Sequence, residues 1–243
     1  MIGEQRVVLR QRRDLSQIIE ATFSIYGRSP GPLLTIAAVV VPLGIASAVF
    51  QKDLDNSAGG AVIVVVLALL QAAVNLLAAG ALIAALADID AGRTPEFSRA
   101  YDVAFDRFWT LLGAMLRAAF HVMLFAITIV GIPWAIQRAV RWLFVEQAVI
   151  LDHTSSRAAL SYSADAVLGQ WWRTLGVWTV ISIIAGAPAF IISLLFRLAP
   201  IALSAAANGV VNAALLPFAV TASTLLYFDL QMRKESDVTT SPA

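Results

Sequence analysis

The chain has 243 residues, 59% of them hydrophobic and only 14% charged, and its mean hydropathy of +0.79 is far above that of a soluble domain of this size. With no cysteine and a formal net charge of +1, it is not a disulfide scaffold, a disordered tail or a basic nucleic-acid binder. The composition predicts an all-α integral membrane protein with membrane lipids as its first partners.

A helix needs roughly 20 apolar residues to cross a hydrocarbon core of about 30 Å. Six runs approach or exceed that length: residues 33–50, 60–87, 109–130, 132–151, 172–196 and 200–228. A turn rich in Asp53, Asp55, Asn56 and Gly59 follows the first. The third and fourth are separated only by the neighbourhood of Gly131 and Pro133, which predicts a tight hairpin. Hydrophilic stretches at 88–108 and 152–170 precede the third and fifth runs, and polar tails at 1–13 and 231–243 flank one membrane domain at 14–230.

Basic residues set the expected orientation, because Lys and Arg in short loops stay on the cytoplasmic side. With the N-terminus inside, that side holds Arg6, Arg10, Arg12, Arg13, Arg28, Arg93, Arg99, Arg107, Arg157, Arg173, Arg233 and Lys234, against Lys52 and Arg197 outside. Both termini are therefore expected in the cytoplasm, with no cleavable signal ahead of the first span.

Each hydrophilic stretch carries apolar residues at helical spacing before an odd-numbered span. Leu15, Ile18, Ile19, Thr22, Phe23 and Tyr26 recur in offset as Phe97, Ala100, Tyr101, Ala104, Phe105 and Phe108, after the start signals Thr94 and Pro95. The third set is Leu160, Ser163, Ala164, Val167, Leu168 and Trp171. Three amphipathic helices lying along the cytoplasmic interface are expected. Phe108 to Gly113 also resembles Trp171 to Gly176, and an aspartate, Asp88, Asp152 or Asp229, closes each even span. A threefold repeat over about 14–88, 94–152 and 157–229 is one explanation; the ordinary furniture of membrane proteins is the other.

The string Leu225 to Glu235 resembles the ending of bacterial multi-span proteins similar to the membrane domain of glycerophosphoryl diester phosphodiesterases. Glu146, Ala159-Leu160 with Ser163, and Gly169 with Trp172-Arg173 are similar to that family's glutamate, its AL-x-x-S helix and its G-x-x-W-R span start. Asp14 to Leu33 resembles the opening, and Ser161-Tyr162-Ser163 stands where the family has Arg-Arg-Ser. The resemblance implies a stand-alone protein of a bacterial plasma membrane without phosphodiesterase chemistry, since that chemistry belongs to a separate soluble barrel.

The residues offer little else to chemistry. With two histidines, His121 and His153, and no cysteine, no metal or cofactor is expected. No G-x-S-x-G, H-E-x-x-H or Walker motif is present, so no enzyme is expected. What lipid penalises is an intramembrane polar set: Arg117 and His121 on the third span, and Gln137, Arg138, Arg141 and Glu146 on the fourth. A charge at mid-membrane costs about 2.5–3.5 kcal/mol on insertion scales. Helical rise puts Arg117 roughly 12 Å and Glu146 roughly 9 Å above the inner end, and His121 and Arg141 at roughly 18 and 17 Å, so both pairs are expected to meet. Gln71, Asn75, Asn208 and Asn212 offer carbonyl oxygens at similar depth. Two outcomes follow: a closed structural network in a lipid-interacting accessory or scaffold protein, with a protein partner at its cytoplasmic helices, or an arginine-lined cavity for an anionic or lipid-phosphate substrate in a transporter or flippase.

Overall fold

The computed structural model describes residues 9–54 and 58–240, and every regular element among them is helical. In chain order these are α1 (Leu15–Arg28), α2 (Pro30–Ala38), α3 (Val40–Leu54), α4 (Ala58–Asp90), α5 (Phe97–Ala126), α6 (Ile132–Arg141), α7 (Val145–Ile150), α8 (Ala158–Val167), α9 (Trp171–Leu195) and α10 (Ile201–Thr240). Five stretches are long and apolar enough to cross a bilayer: Pro30–Ala48 through α2 and α3, Gly59–Asp90, Phe97–Ala126, Trp171–Leu195 and Ile201–Ser236. Their outward faces carry Val62, Leu69, Leu116, Phe190 and Leu195, all exposed, apolar area on a scale that calls for lipid rather than water.

The fourth expected span departs from that plan. Residues 132–151 form α6, of ten residues, a turn at Trp142–Phe144, and α7, of six. Ten residues reach about 15 Å, half of a hydrocarbon core. The break survives because its backbone is satisfied. Ser163, fully buried on α8, donates its hydroxyl to the Arg141 carbonyl (2.8 Å) and accepts from the Phe144 N–H (3.1 Å). Away from water an unpartnered peptide group is expensive, so a break needs a substitute for both lost groups.

The amphipathic helices also differ from expectation. Only α1 and α8 are separate; the middle set opens α5 and runs on without interruption. α1 starts where the Asp14 N–H is held by the Gln17 side chain (2.9 Å). It is laid on α10, buries Ile18, Thr22 and Ile25, and ends with Phe23 against Phe218 and the Tyr26 hydroxyl on the Ala214 carbonyl (3.0 Å). In the same manner α5 packs on α4, and α8 packs on α7. Gly80 permits the approach of α5 to α4, since a Cβ there would lie 3.1 Å from Leu111 Cδ1 and 3.5 Å from Ala104 Cβ. The core concentrates at this end of the molecule, around Leu82, Leu86, Leu111, Phe144 and Tyr227.

Candidate functional site

The aspartates that close the even spans are structural anchors. Asp229 is fully buried and accepts from the Arg13 N–H (2.8 Å), Arg173 Nη2 (2.9 Å) and Arg233 Nε (2.9 Å). Burial lowers the pKa of the Arg13 guanidinium, while Asp229 and Asp90 pull it back up. Asp88 holds Arg93 at 2.6 Å and Arg99 at 3.5 Å, and Asp152 accepts from the Tyr227 hydroxyl. With their carboxylates engaged, these groups tie helix ends together rather than face a ligand.

A cavity of about 840 Å³ lies between α3, α4, α9 and α10. All four amides expected from the sequence, Gln71, Asn75, Asn208 and Asn212, line it. Helical rise puts Asn75 about 20 Å from Asp88 and Asn212 about 25 Å from Asp229, within a bilayer's thickness. On α10 the amides form a ladder: Asn212 Nδ2 donates to the Asn208 carbonyl (2.8 Å), and Asn208 Nδ2 to the Ser204 carbonyl (2.9 Å). The Asn208 oxygen in turn accepts from the Ser193 hydroxyl (2.7 Å). Across the cavity, Gln71 Nε2 stands 3.5 Å from the Asn75 oxygen, whereas Gln71 Oε1 is buried and has no hydrogen-bond partner among the described residues. Small residues make the space: Gly44 on α3, Ala185, Gly186 and Ala189 on α9, and Gly209 on α10. Trp178 and Ser182 on α9 also line it. Sequence reasoning missed this α9 wall, although its small residues at positions 182, 185, 186 and 189 share one helical face.

The charged half of the expected set lies elsewhere. None of Arg117, His121, Arg138, Arg141 and Glu146 lines the cavity, and no ion pair joins Arg117 to Glu146 among the described residues. Arg117 instead donates to the Ser156 hydroxyl. His121 Nδ1 lies 2.7 Å from the Arg117 carbonyl, one turn back on its own helix, and its ring packs on Trp142 rather than on Arg141. Arg138 stands over the Trp142 ring, 5.5 Å from its centroid. Glu146 sits in the first turn of α7. The expected pairs do not meet because the turn at Trp142–Phe144 breaks the fourth span, so residue number no longer converts into depth along it.

These features define an all-helical protein with the build of a multi-pass membrane protein and a neutral, amide-lined cavity among its longest helices. The chain matches no protein-family model, no curated protein and no solved structure.

Proposed function

We propose that this is a non-enzymatic lipid-interacting accessory protein of a bacterial plasma membrane, with both termini cytoplasmic, that holds a lipid with an uncharged, hydroxyl-bearing head in the cavity between α3, α4, α9 and α10. The four amides that line the cavity carry the proposal, with Gln71 Oε1 lacking a hydrogen-bond partner among the described residues. An acceptor of that kind costs about 1–3 kcal/mol when left unmade. A hydroxyl both donates and accepts, and so serves either end of an amide. No charged side chain among the described residues lines the cavity, which favours a neutral head over the anionic substrate of a flippase. The volume lies within the range of small-molecule sites, and most of the wall is apolar, as an acyl or isoprenoid chain requires.

Kinship with the membrane domain of glycerophosphoryl diester phosphodiesterases, and a threefold origin, are parts of the same proposal. The threefold origin is supported by the cyclic way in which α1 lies on α10, α5 on α4 and α8 on α7. Native mass spectrometry of the protein extracted gently from its own membrane tests the ligand. A diacylglycerol or long-chain alcohol should be retained by the wild type and lost in Gln71→Leu and Gly186→Leu. Gly186 has open space where a Cβ would stand, so the second variant fills the cavity without a clash. Equal retention of the same neutral lipid by all three proteins, or of no neutral lipid by any, would refute the proposal.

A further inference from the structure

The turn between α5 and α6 is on the wrong side for a membrane-crossing hairpin. From Trp109 to Ala126 a crossing helix would carry that turn about 27 Å away from the Asp88 and Asp229 end. Yet Pro133, Trp134 and Gln137 at the start of α6 share one groove, of about 440 Å³, with Trp171 and Trp172 at the start of α9. The next residue, Arg173, is bonded to Asp229. Along α5 the same end recurs: Arg107 stands 3.0 Å from His153 Nδ1, and Arg117 is bonded to Ser156. His153 in turn lines a pocket with Asp88 and Phe228. α6 packs against α5, α8 and α9.

Side-chain chemistry agrees with a hairpin lying flat. On α6, Trp134, Gln137, Arg138 and Arg141 fall on one side and Ile132 and Ile136 on the other. Ile132 and Ile136 are exposed, as are Leu116, Phe120, Met123 and Leu124 along α5. No carboxylate lies within ion-pair distance of Arg117, Arg138 or Arg141 among the described residues. In a crossing hairpin those three guanidinium charges would sit uncompensated in hydrocarbon. At the headgroup level they meet phosphates, for which the guanidinium fork is matched, and the isoleucine side enters the acyl layer.

We propose that the second half of α5 and α6 form an in-plane hairpin in the headgroup layer of the leaflet on the Asp88 and Asp229 side, with Arg117, Arg138 and Arg141 turned to anionic lipid phosphates. The proposal rests on the chain being a membrane protein and not on what fills the cavity. Only α2 with α3, α4, α9 and α10 then cross.

The chain contains no cysteine, so single-cysteine variants label cleanly with a membrane-impermeant maleimide applied to either face of sealed membranes. Glu96→Cys marks the Asp88 side and Leu198→Cys, between α9 and α10, the opposite side. His121→Cys and Gln137→Cys should both label from the Glu96 side and not from the other. Labelling of Val130→Cys from the Leu198 side, or failure of both His121→Cys and Gln137→Cys to label from either side, would overturn the in-plane hairpin. Labelling of both markers from one side would overturn the membrane reading itself. In nanodiscs of mixed phosphatidylglycerol and phosphatidylcholine, the folded Arg138→Gln, Arg141→Gln double variant should lose the preferential retention of phosphatidylglycerol shown by the wild type. Undiminished preference, or no preference in either protein, would refute the phosphate contacts.

Discussion

Replacing Ser163 with alanine tests whether the break between α6 and α7 depends on one side chain. Its hydroxyl makes two bonds across the break, to the Arg141 carbonyl at 2.8 Å and from the Phe144 N–H at 3.1 Å, and the residue is wholly buried. Each bond contributes about 1 kcal/mol net, and a stranded buried group costs about 1–3 kcal/mol. The space vacated by a hydroxyl is smaller than a water molecule, so solvent does not restore the partners. Ser163→Ala should therefore lose about 2–4 kcal/mol, on the summed cost of two broken bonds. Thermal unfolding in detergent reads this as a fall in Tm of roughly 2–4 °C per kcal/mol for a chain of this size. Ser161→Ala is the matched control: Ser161 is exposed and among the described residues bonds only the Ala158 carbonyl (2.8 Å), so it should stay within about 0.5 kcal/mol of wild type. If the two variants unfold together, Ser163 does not hold the break.

Asp229→Asn should lower stability by about 3 kcal/mol, because it uncouples a buried carboxylate from Arg173 and Arg233. Asp88→Asn, whose partners Arg93 and Arg99 are half exposed, should cost less than about 1 kcal/mol in the same denaturation assay. Gly80→Val places a branched side chain against Leu111 and Ala104 and should cost about 1–3 kcal/mol by overpacking, seen as a lower Tm and a lower folded yield. Tyr26→Phe removes the bond to the Ala214 carbonyl, next to the Ala213 carbonyl that Pro217 leaves without its helical donor. A loss of about 1 kcal/mol is expected, and faster proteolysis of α1 should accompany it.

Hydropathy located the long helices, whereas Gln71, Asn75, Asn208 and Asn212, expected at similar depth beside the arginines, line one cavity without them. Such depths survive because α4 and α10 are single helices, in which residue number converts directly into height. The fourth span failed for the converse reason. Its interruption at Trp142–Phe144 contains neither glycine nor proline, so nothing local marks it. The group that stabilises it, Ser163, lies 19 residues further on. A hydrophobic count over residues 132–151 also blends the charged side of α6 into the apolar run, although Gln137, Arg138 and Arg141 are gathered on one side of that helix. Periodicity inside the run was the available signal, and length concealed it. Neutral side chains such as Ser182 and Ala185 carry no mark of the cavity until α9 is set against α4 and α10.

The anchoring of α1 on α10 has a consequence for biosynthesis. Arg13 reaches Asp229 across 216 positions of sequence, and Tyr26 reaches Ala214 across 188. Helix α1 thus has as its partner a helix made about 200 residues later. Until α10 is in place, Ile18 and Ile25 lack the helix face that buries them. Without α10 the N-terminal segment keeps the Leu9 N–H bond to Asp90 (3.0 Å) but loses Asp229 and the face that buries Ile18 and Ile25, so the docking of α10 is the step that fixes α1.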